Sequence, residues 1–102
     1  QVAILCKTPR TLDELWMEFR FGVGGRKAAK NFTREERGKC RHNYYRRNVL
    51  WRQVALMIRA GESAQTAIDK IRAVYGEGTS VTKTLNLMLA DRKNGGNPQL
   101  RV

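Results

Sequence analysis

The segment 41-RHNYYRRNVLWRQ-53 holds the residues of this chain whose types and spacing could do chemistry. Four arginines and one histidine occur in these thirteen residues, and two tyrosines and a tryptophan lie between them. Such a segment could be a solvated helix face, a catalytic cluster or a surface that binds a polyanion. The composition of the rest of the chain favours the third interpretation.

Enzyme chemistry finds little support in the sequence. An arginine, a histidine and a tyrosine close together would suit a tyrosine-recombinase site, but that site uses an H-x-x-R spacing and His42 stands four residues before Arg46. No Ser/His/Asp set can be assembled, since the acidic residues suit helix starts and surface pairs. We therefore expect no catalytic residue, no cofactor and no small-molecule substrate.

Metal binding is not expected either. A zinc site needs about four ligands, and the chain has two cysteines, Cys6 and Cys40, and the single histidine His42. The sequence leaves a disulfide between the two cysteines open, although it is not expected for an intracellular domain.

Positive charge is concentrated in the middle of the chain. The net charge is +11, from 20 basic and 9 acidic residues, and residues 26–59 hold eleven of the basic residues but only two of the acidic ones. No Asp or Glu lies between Gly38 and Gly61, whereas a solvated surface usually mixes the two signs. A field of this kind attracts a polyanion, and nucleic acid is the first choice.

Chain length and apolar periodicity predict one all-α domain over 1–102. The 102 residues, 41% of them apolar, suffice for a single modest core. The chain starts without methionine, so we expect a piece of a longer protein, and it carries no signal peptide or membrane-spanning run. Apolar residues recur with helical spacing throughout, which predicts four or five helices. Residues 94–102 have the composition of a flexible tail.

Capping residues predict where the first two helices lie. Thr11 and Glu14 have capping-box spacing, and Gly22 is placed to end the first helix. A second helix should start near Thr33 or just after Gly38 and run to about residue 60. On this helix one polar stripe, at 100° per residue, contains Arg41, Asn48, Arg52 and Arg59.

Two further helices have the spacing of a helix-turn-helix element. The third should run from Ser63 to Gly76, and the fourth to about Lys93. In a helix-turn-helix the second helix offers its first residues to the major groove. Short donors and acceptors suited to phosphates and base edges stand there: Thr79, Ser80, Thr82, Lys83 and Asn86.

Two segments carry a resemblance to a known family. The run 11-TLDELWMEF-19, followed by Gly22 and Gly25, and the run 45-YRRNVLW-51 resemble the C-terminal DNA-binding domain of the fungal transcriptional activators of glycolytic genes. Similar domains occur at the C-terminus of Crypton-type transposon recombinases and in host genes derived from them, and 62-ESAQTAIDKIRAVYGEGTSVTKTLNLM-88 is more similar to those members. The chain departs from the family pattern at Asn48, where a lysine usually follows the arginines.

The resemblance implies sequence-specific binding of duplex DNA in the nucleus, by a transcription factor or a transposon-derived regulator. It makes the pair Arg46 and Arg47, which lie off the polar stripe, the likeliest base contacts of the domain. The competing interpretation buries one of them in an ion pair with Glu14 or Glu18. The stripe arginines Arg41, Arg52 and Arg59, together with Lys30 and Lys39, would contact phosphates.

Three further expectations complete the sequence-based picture. Trp16 and Trp51 should be core residues, and Tyr45 should pack rather than stack on a base. The isolated domain should be a monomer. Two other functions stay open, a structured-RNA-binding domain and a protein-interaction module that docks on an acidic partner.

Overall fold

Five α-helices make up the domain, which a computed structural model describes over all 102 residues. This confirms the all-α prediction; the only β-type pairing is an isolated bridge between Val2 and Arg26. Two short 3₁₀ turns, Ala29–Asn31 and Pro98–Leu100, complete the structure. The helices are α1 (Leu12–Arg20), α2 (Arg34–Lys39), α3 (Arg41–Arg59), α4 (Ala64–Tyr75) and α5 (Val81–Lys93).

Four helices start at the hydroxyl residues that were expected to cap them. Each hydroxyl oxygen accepts a hydrogen bond from the backbone N–H three residues later, which would otherwise have no partner within the helix. Gly22 follows α1 with φ +78°, and a Cβ there would lie 2.1 Å from the Arg26 carbonyl oxygen. The caps are Thr11, Thr33, Ser63 and Ser80.

The predicted second helix is two helices. The first begins after Thr33, and the second begins after Cys40, two residues beyond Gly38. The break is at Cys40, where φ is −127° and ψ is 31°. The Cys40 N–H donates back to the Arg37 carbonyl at 3.2 Å, and the chain then turns into α3. This 19-residue helix is the central one, with α1, α4 and α5 packed around it.

Trp51 lies at the centre of the core. It is fully buried, its indole N–H donates to the Leu15 carbonyl at 2.7 Å, and its ring stacks on Phe19 with 5.1 Å between centroids. Trp16 is also buried, and its ring packs against that of Phe19 with 5.6 Å between centroids. Both tryptophans are therefore core residues, as expected.

The end of the chain folds back on the helices. Leu100 is buried, and its carbonyl accepts a hydrogen bond from the Gln53 side chain of α3 at 2.9 Å. Asn97 caps the last 3₁₀ turn. The composition of residues 94–102 predicts a flexible tail, but the chain is packed as far as Leu100. No helix combines the length and the apolar character needed to cross a bilayer.

Candidate nucleic-acid interface

Most of the basic side chains have no acidic partner. Of the twenty lysines and arginines, four are in ion pairs, which leaves sixteen without one. Five of the nine acidic side chains are in the same pairs. The pairs are Lys27–Glu36, Arg47–Glu18, Lys70–Glu62, and Arg72 with both Asp13 and Asp69. The positive charge is thus displayed outward and is not neutralised within the fold.

Arg47 is the exception within the central basic segment. It is 5% exposed, and one of its amino groups donates to both carboxylate oxygens of Glu18, at 2.9 and 3.0 Å. The other donates to the Cys6 carbonyl at 2.6 Å, while the Cys6 N–H donates to Glu18 at 2.6 Å. The four groups form a closed network that ties the N-terminal segment to α1 and α3.

The prediction that Arg47 contacts DNA is therefore wrong, and the competing ion-pair interpretation is confirmed with Glu18 as the partner. A buried carboxylate needs a cation and hydrogen bonds in place of water. The sequence contains a signal for it, since Glu18 flanks the apolar stripe of α1 next to Leu15. Glu14, the other partner that was considered, instead accepts from the Arg10 N–H.

Arg46 points to a different side of α3. Consecutive helical residues differ by about 100°, so when Arg47 faces α1 its neighbour faces α5. The Arg46 guanidinium is half-buried and donates to the Asn86 side-chain oxygen at 2.6 Å. The Arg46 side of α3 thus contacts the first turns of α5.

A cleft of about 590 Å³, here called the α3–α5 cleft, surrounds this hydrogen bond. Its walls come from the N-terminal segment, from α3 and from α5, so that residues more than seventy positions apart in the chain are side by side. No acidic side chain lines it. The polar side chains that line it with Arg46 are Lys7, Thr8, Asn43, Arg47, Thr82 and Asn86.

The buried ion pair shapes one wall of this cleft. Glu18 and Arg47 hold both backbone polar groups of Cys6, and the next residues, Lys7 and Thr8, line the cleft. Sequence reasoning missed Lys7. In the sequence, the only indication that Lys7 lies at the cleft is its position next to Cys6. That position becomes informative only when the ion pair that binds Cys6 is known.

The residues at the start of α5 divide into two groups. Thr82 and Lys83 are exposed and available to a ligand. The Thr79 hydroxyl donates to the Tyr75 carbonyl at 2.8 Å and so closes the end of α4, which corrects its prediction as a free donor. The Ser80 oxygen accepts the Lys83 N–H as a helix cap, and its own hydroxyl proton has no protein acceptor.

The arginine stripe (Arg41, Arg52 and Arg59) lies on the surface of α3, where all three side chains are exposed and unpaired. At a rise of 1.5 Å per residue the stripe spans about 27 Å. Lys30, in the first 3₁₀ turn, and Lys39, the last residue of α2, are also exposed. All five residues are therefore at the surface, which a contact with phosphate requires.

Tyr45 is not a packing residue. It is 58% exposed, the Arg92 guanidinium lies 5.0 Å from its ring centroid, and Arg92 also donates to its hydroxyl at 2.6 Å. The expectation that Tyr45 packs is therefore not met in the core, since its ring contacts Arg92 at the surface. Arg92, which sequence reasoning missed, extends the basic surface to the C-terminal end of α5.

Three half-buried titratable groups have raised pKa values. Burial raises the pKa of the Cys40 thiol and that of the Tyr44 hydroxyl. Burial, together with the hydrogen bond to Asp91 at 2.7 Å, raises the pKa of Tyr75. None of the three is activated as a nucleophile at neutral pH. No group of three or more His, Cys, Asp or Glu side chains is arranged to hold a metal ion.

The fold and these side chains define a small all-α domain in which most basic side chains have no acidic partner. Comparison of the chain with protein-family models, with curated proteins and with solved structures finds no match.

Proposed function

We propose that this domain binds duplex DNA in a sequence-specific manner, through the surface that α3 and α5 form together. The observation that carries the proposal is that sixteen of the twenty basic side chains have no acidic partner, together with a cleft between α3 and α5 that no acidic side chain lines. Lys and Arg side chains that neutralise phosphates release counterions, which supplies affinity whatever the base sequence. An anionic polymer is the partner that uses most of this charge.

In the proposed arrangement α4 and α5 act as a helix-turn-helix element, with α5 as the helix that enters the major groove. The groove is about 12 Å wide and accepts one α-helix. The exposed side chains on the first turns of α5, Thr82, Lys83 and Asn86, would face base edges and nearby phosphates. The arginine stripe would contact phosphates through its charge. It lies about 140° around α3 from Arg46, so the two would not lie flat against one face of the same duplex.

The family resemblance in the first half of the chain points the same way. It supports a nuclear protein that regulates transcription or derives from a transposon, and it supports a binding module over an enzyme. The burial of Arg47 modifies what the resemblance implies, since only the first arginine of the pair is free for DNA.

A salt titration of DNA affinity tests the proposal. For about five phosphate contacts, the slope of log affinity against log salt concentration on B-form DNA should be near −4 to −5. Fluorescence anisotropy with a random-sequence duplex, over a series of salt concentrations, measures it. An affinity that does not change with salt would contradict the proposal.

Competition experiments separate DNA from RNA. The major groove of A-form RNA is deep and narrow, so α5 could not enter it, and duplex RNA should compete weakly. Stronger competition by duplex RNA than by duplex DNA would favour the structured-RNA alternative. Binding to an acidic protein without affinity for any nucleic acid would favour the interaction-module alternative.

A further inference from the structure

We infer that Arg46, held in place by Asn86, reads a guanine in the DNA target. The inference deepens the proposed function and rests on it. It assigns one side chain of the α3–α5 cleft to one base, and it gives its neighbour a positioning role.

The chemistry of the pair determines which atoms face each other. A guanidinium has five N–H donors and no acceptor, so the Asn86 atom 2.6 Å from it must be the side-chain oxygen. This bond uses one amino group of Arg46. The remaining N–H groups of the guanidinium have no protein acceptor, because Arg46 makes no other side-chain hydrogen bond and no ion pair.

The unused donors match a guanine. A planar guanidinium can donate two parallel hydrogen bonds to O6 and N7 of guanine in the major groove, which is the commonest specific arginine contact. Phosphate contacts would need no fixed orientation of the guanidinium. The hydrogen bond to Asn86 fixes the orientation of the guanidinium. Because the cleft is open to solvent, the unused N–H groups of Arg46 cost little free energy.

The same bond defines what Asn86 does for Arg46. The Asn86 oxygen accepts from the guanidinium, which holds it on the α5 side of the cleft and uses one of the two lone pairs of that oxygen. Asn86 is therefore a positioning residue for Arg46.

The backbone of Arg46 is also held in a fixed position. Arg47, the adjacent residue, is locked in the buried ion pair with Glu18, and this fixes the rotation of α3 about its axis at the cleft. A side chain rooted on a helix that cannot rotate is better suited to discrimination than one on a mobile loop. The two consecutive arginines thus have separate roles, one inside the fold and one at the proposed interface.

The test begins with selection of bound sites from a random duplex library by the unaltered protein, which should return at least one position where guanine is required. At that position, replacing guanine by 7-deazaguanine removes the N7 acceptor and leaves Watson–Crick pairing intact. We expect the affinity of the unaltered protein to fall by about 5-fold or more, and replacement by another base to lower it by about 5- to 150-fold.

Variants then identify the reading residue. Arg46→Lys keeps the charge but not the planar fork, so it should keep the salt slope and weaken the response to 7-deazaguanine. Asn86→Ala should weaken discrimination at the same position and leave the other positions unchanged. The matched control is Arg59→Ala on the far end of α3, which should weaken binding to all duplexes about equally.

The outcomes are distinct from those that test DNA binding itself. If the unaltered protein binds duplex DNA with the expected salt slope, but selects no guanine or keeps its full guanine preference in Arg46→Lys, the inference fails and the proposed function stands. If the protein shows no salt-dependent binding, both fail. Loss of preference at one guanine position in both Arg46→Lys and Asn86→Ala supports the inference.

Discussion

Replacing Arg47 by methionine removes the cation from the buried ion pair while keeping an unbranched side chain of similar length. The Glu18 carboxylate would lose both of its arginine hydrogen bonds and keep only the one from the Cys6 N–H. The Cys6 carbonyl would lose its side-chain donor. Only 6% of each side chain of the pair is exposed, so water could not replace the missing contacts.

The magnitude follows from this burial. Removing one partner of a buried pair leaves an uncompensated charge and destabilises a protein by roughly 3 to 5 kcal/mol. The free energy of unfolding of a small domain is only about 5 to 15 kcal/mol. Since 1 kcal/mol shifts the melting temperature of a domain of this size by about 4 to 8 °C, we expect Arg47→Met to lower it by at least about 12 °C.

Thermal and urea unfolding followed by circular dichroism measure the effect, and two further variants make the test specific. Arg46→Met, at the adjacent exposed hydrogen bond, should change the free energy of unfolding by no more than about 1 kcal/mol. In Glu18→Gln with Arg47→Met, no buried charge is left and the glutamine oxygen can still accept the Cys6 N–H. The double variant should therefore be more stable than Arg47→Met alone.

Two results would refute this reasoning. One is a melting temperature of Arg47→Met within a few degrees of that of the unaltered protein. The other is a double variant that is no more stable than Arg47→Met alone, since residues in one network are expected to couple.

Three more predictions concern the core, the arginine stripe and α2. Trp51→Ala should destabilise the fold by roughly 3 to 5 kcal/mol. Trp51→Phe should lower the free energy of unfolding less, because it mainly leaves the Leu15 carbonyl without its donor. Urea titrations compare the two variants, and equal losses would contradict the packing role. Each arginine of the stripe changed to alanine should weaken specific and nonspecific DNA about equally and lower the salt slope by about one unit, whereas an effect on one sequence alone would show base reading. The pKa of Glu36 is lowered by its hydrogen bonds from Lys27 and the Thr33 N–H. Its contribution to stability is therefore present above the ordinary carboxyl pKa of about 4.3 and is lost as the pH falls through the lowered value. Amide exchange at the start of α2 should accelerate over that range, and Glu36→Gln should remove this dependence.

The starts of the helices could be predicted from the sequence because capping is local. A hydroxyl and an N–H three residues apart meet whatever surrounds them, so Thr11, Thr33, Ser63 and Ser80 mark their helices without knowledge of the fold. The central position of α3 was predictable for a similar reason, since a helix that is apolar around most of its circumference must be covered on most sides. The exposure of the arginine stripe follows directly from that.

The tertiary structure assigned different roles to residues that the local sequence pattern does not distinguish. The sequence places Arg46 and Arg47 side by side with the same chemistry, and only the packing of α1 and the N-terminal segment against α3 gives Arg47 a buried carboxylate while Arg46 faces α5. Tyr45 was interpreted wrongly for the same reason, because its partner Arg92 belongs to another helix. The bond from Thr79 to the Tyr75 carbonyl is local and depends on how α4 ends. Hydrogen bonds and ion pairs between distant residues depend on the relative placement of whole helices, which the periodicity of one helix does not contain.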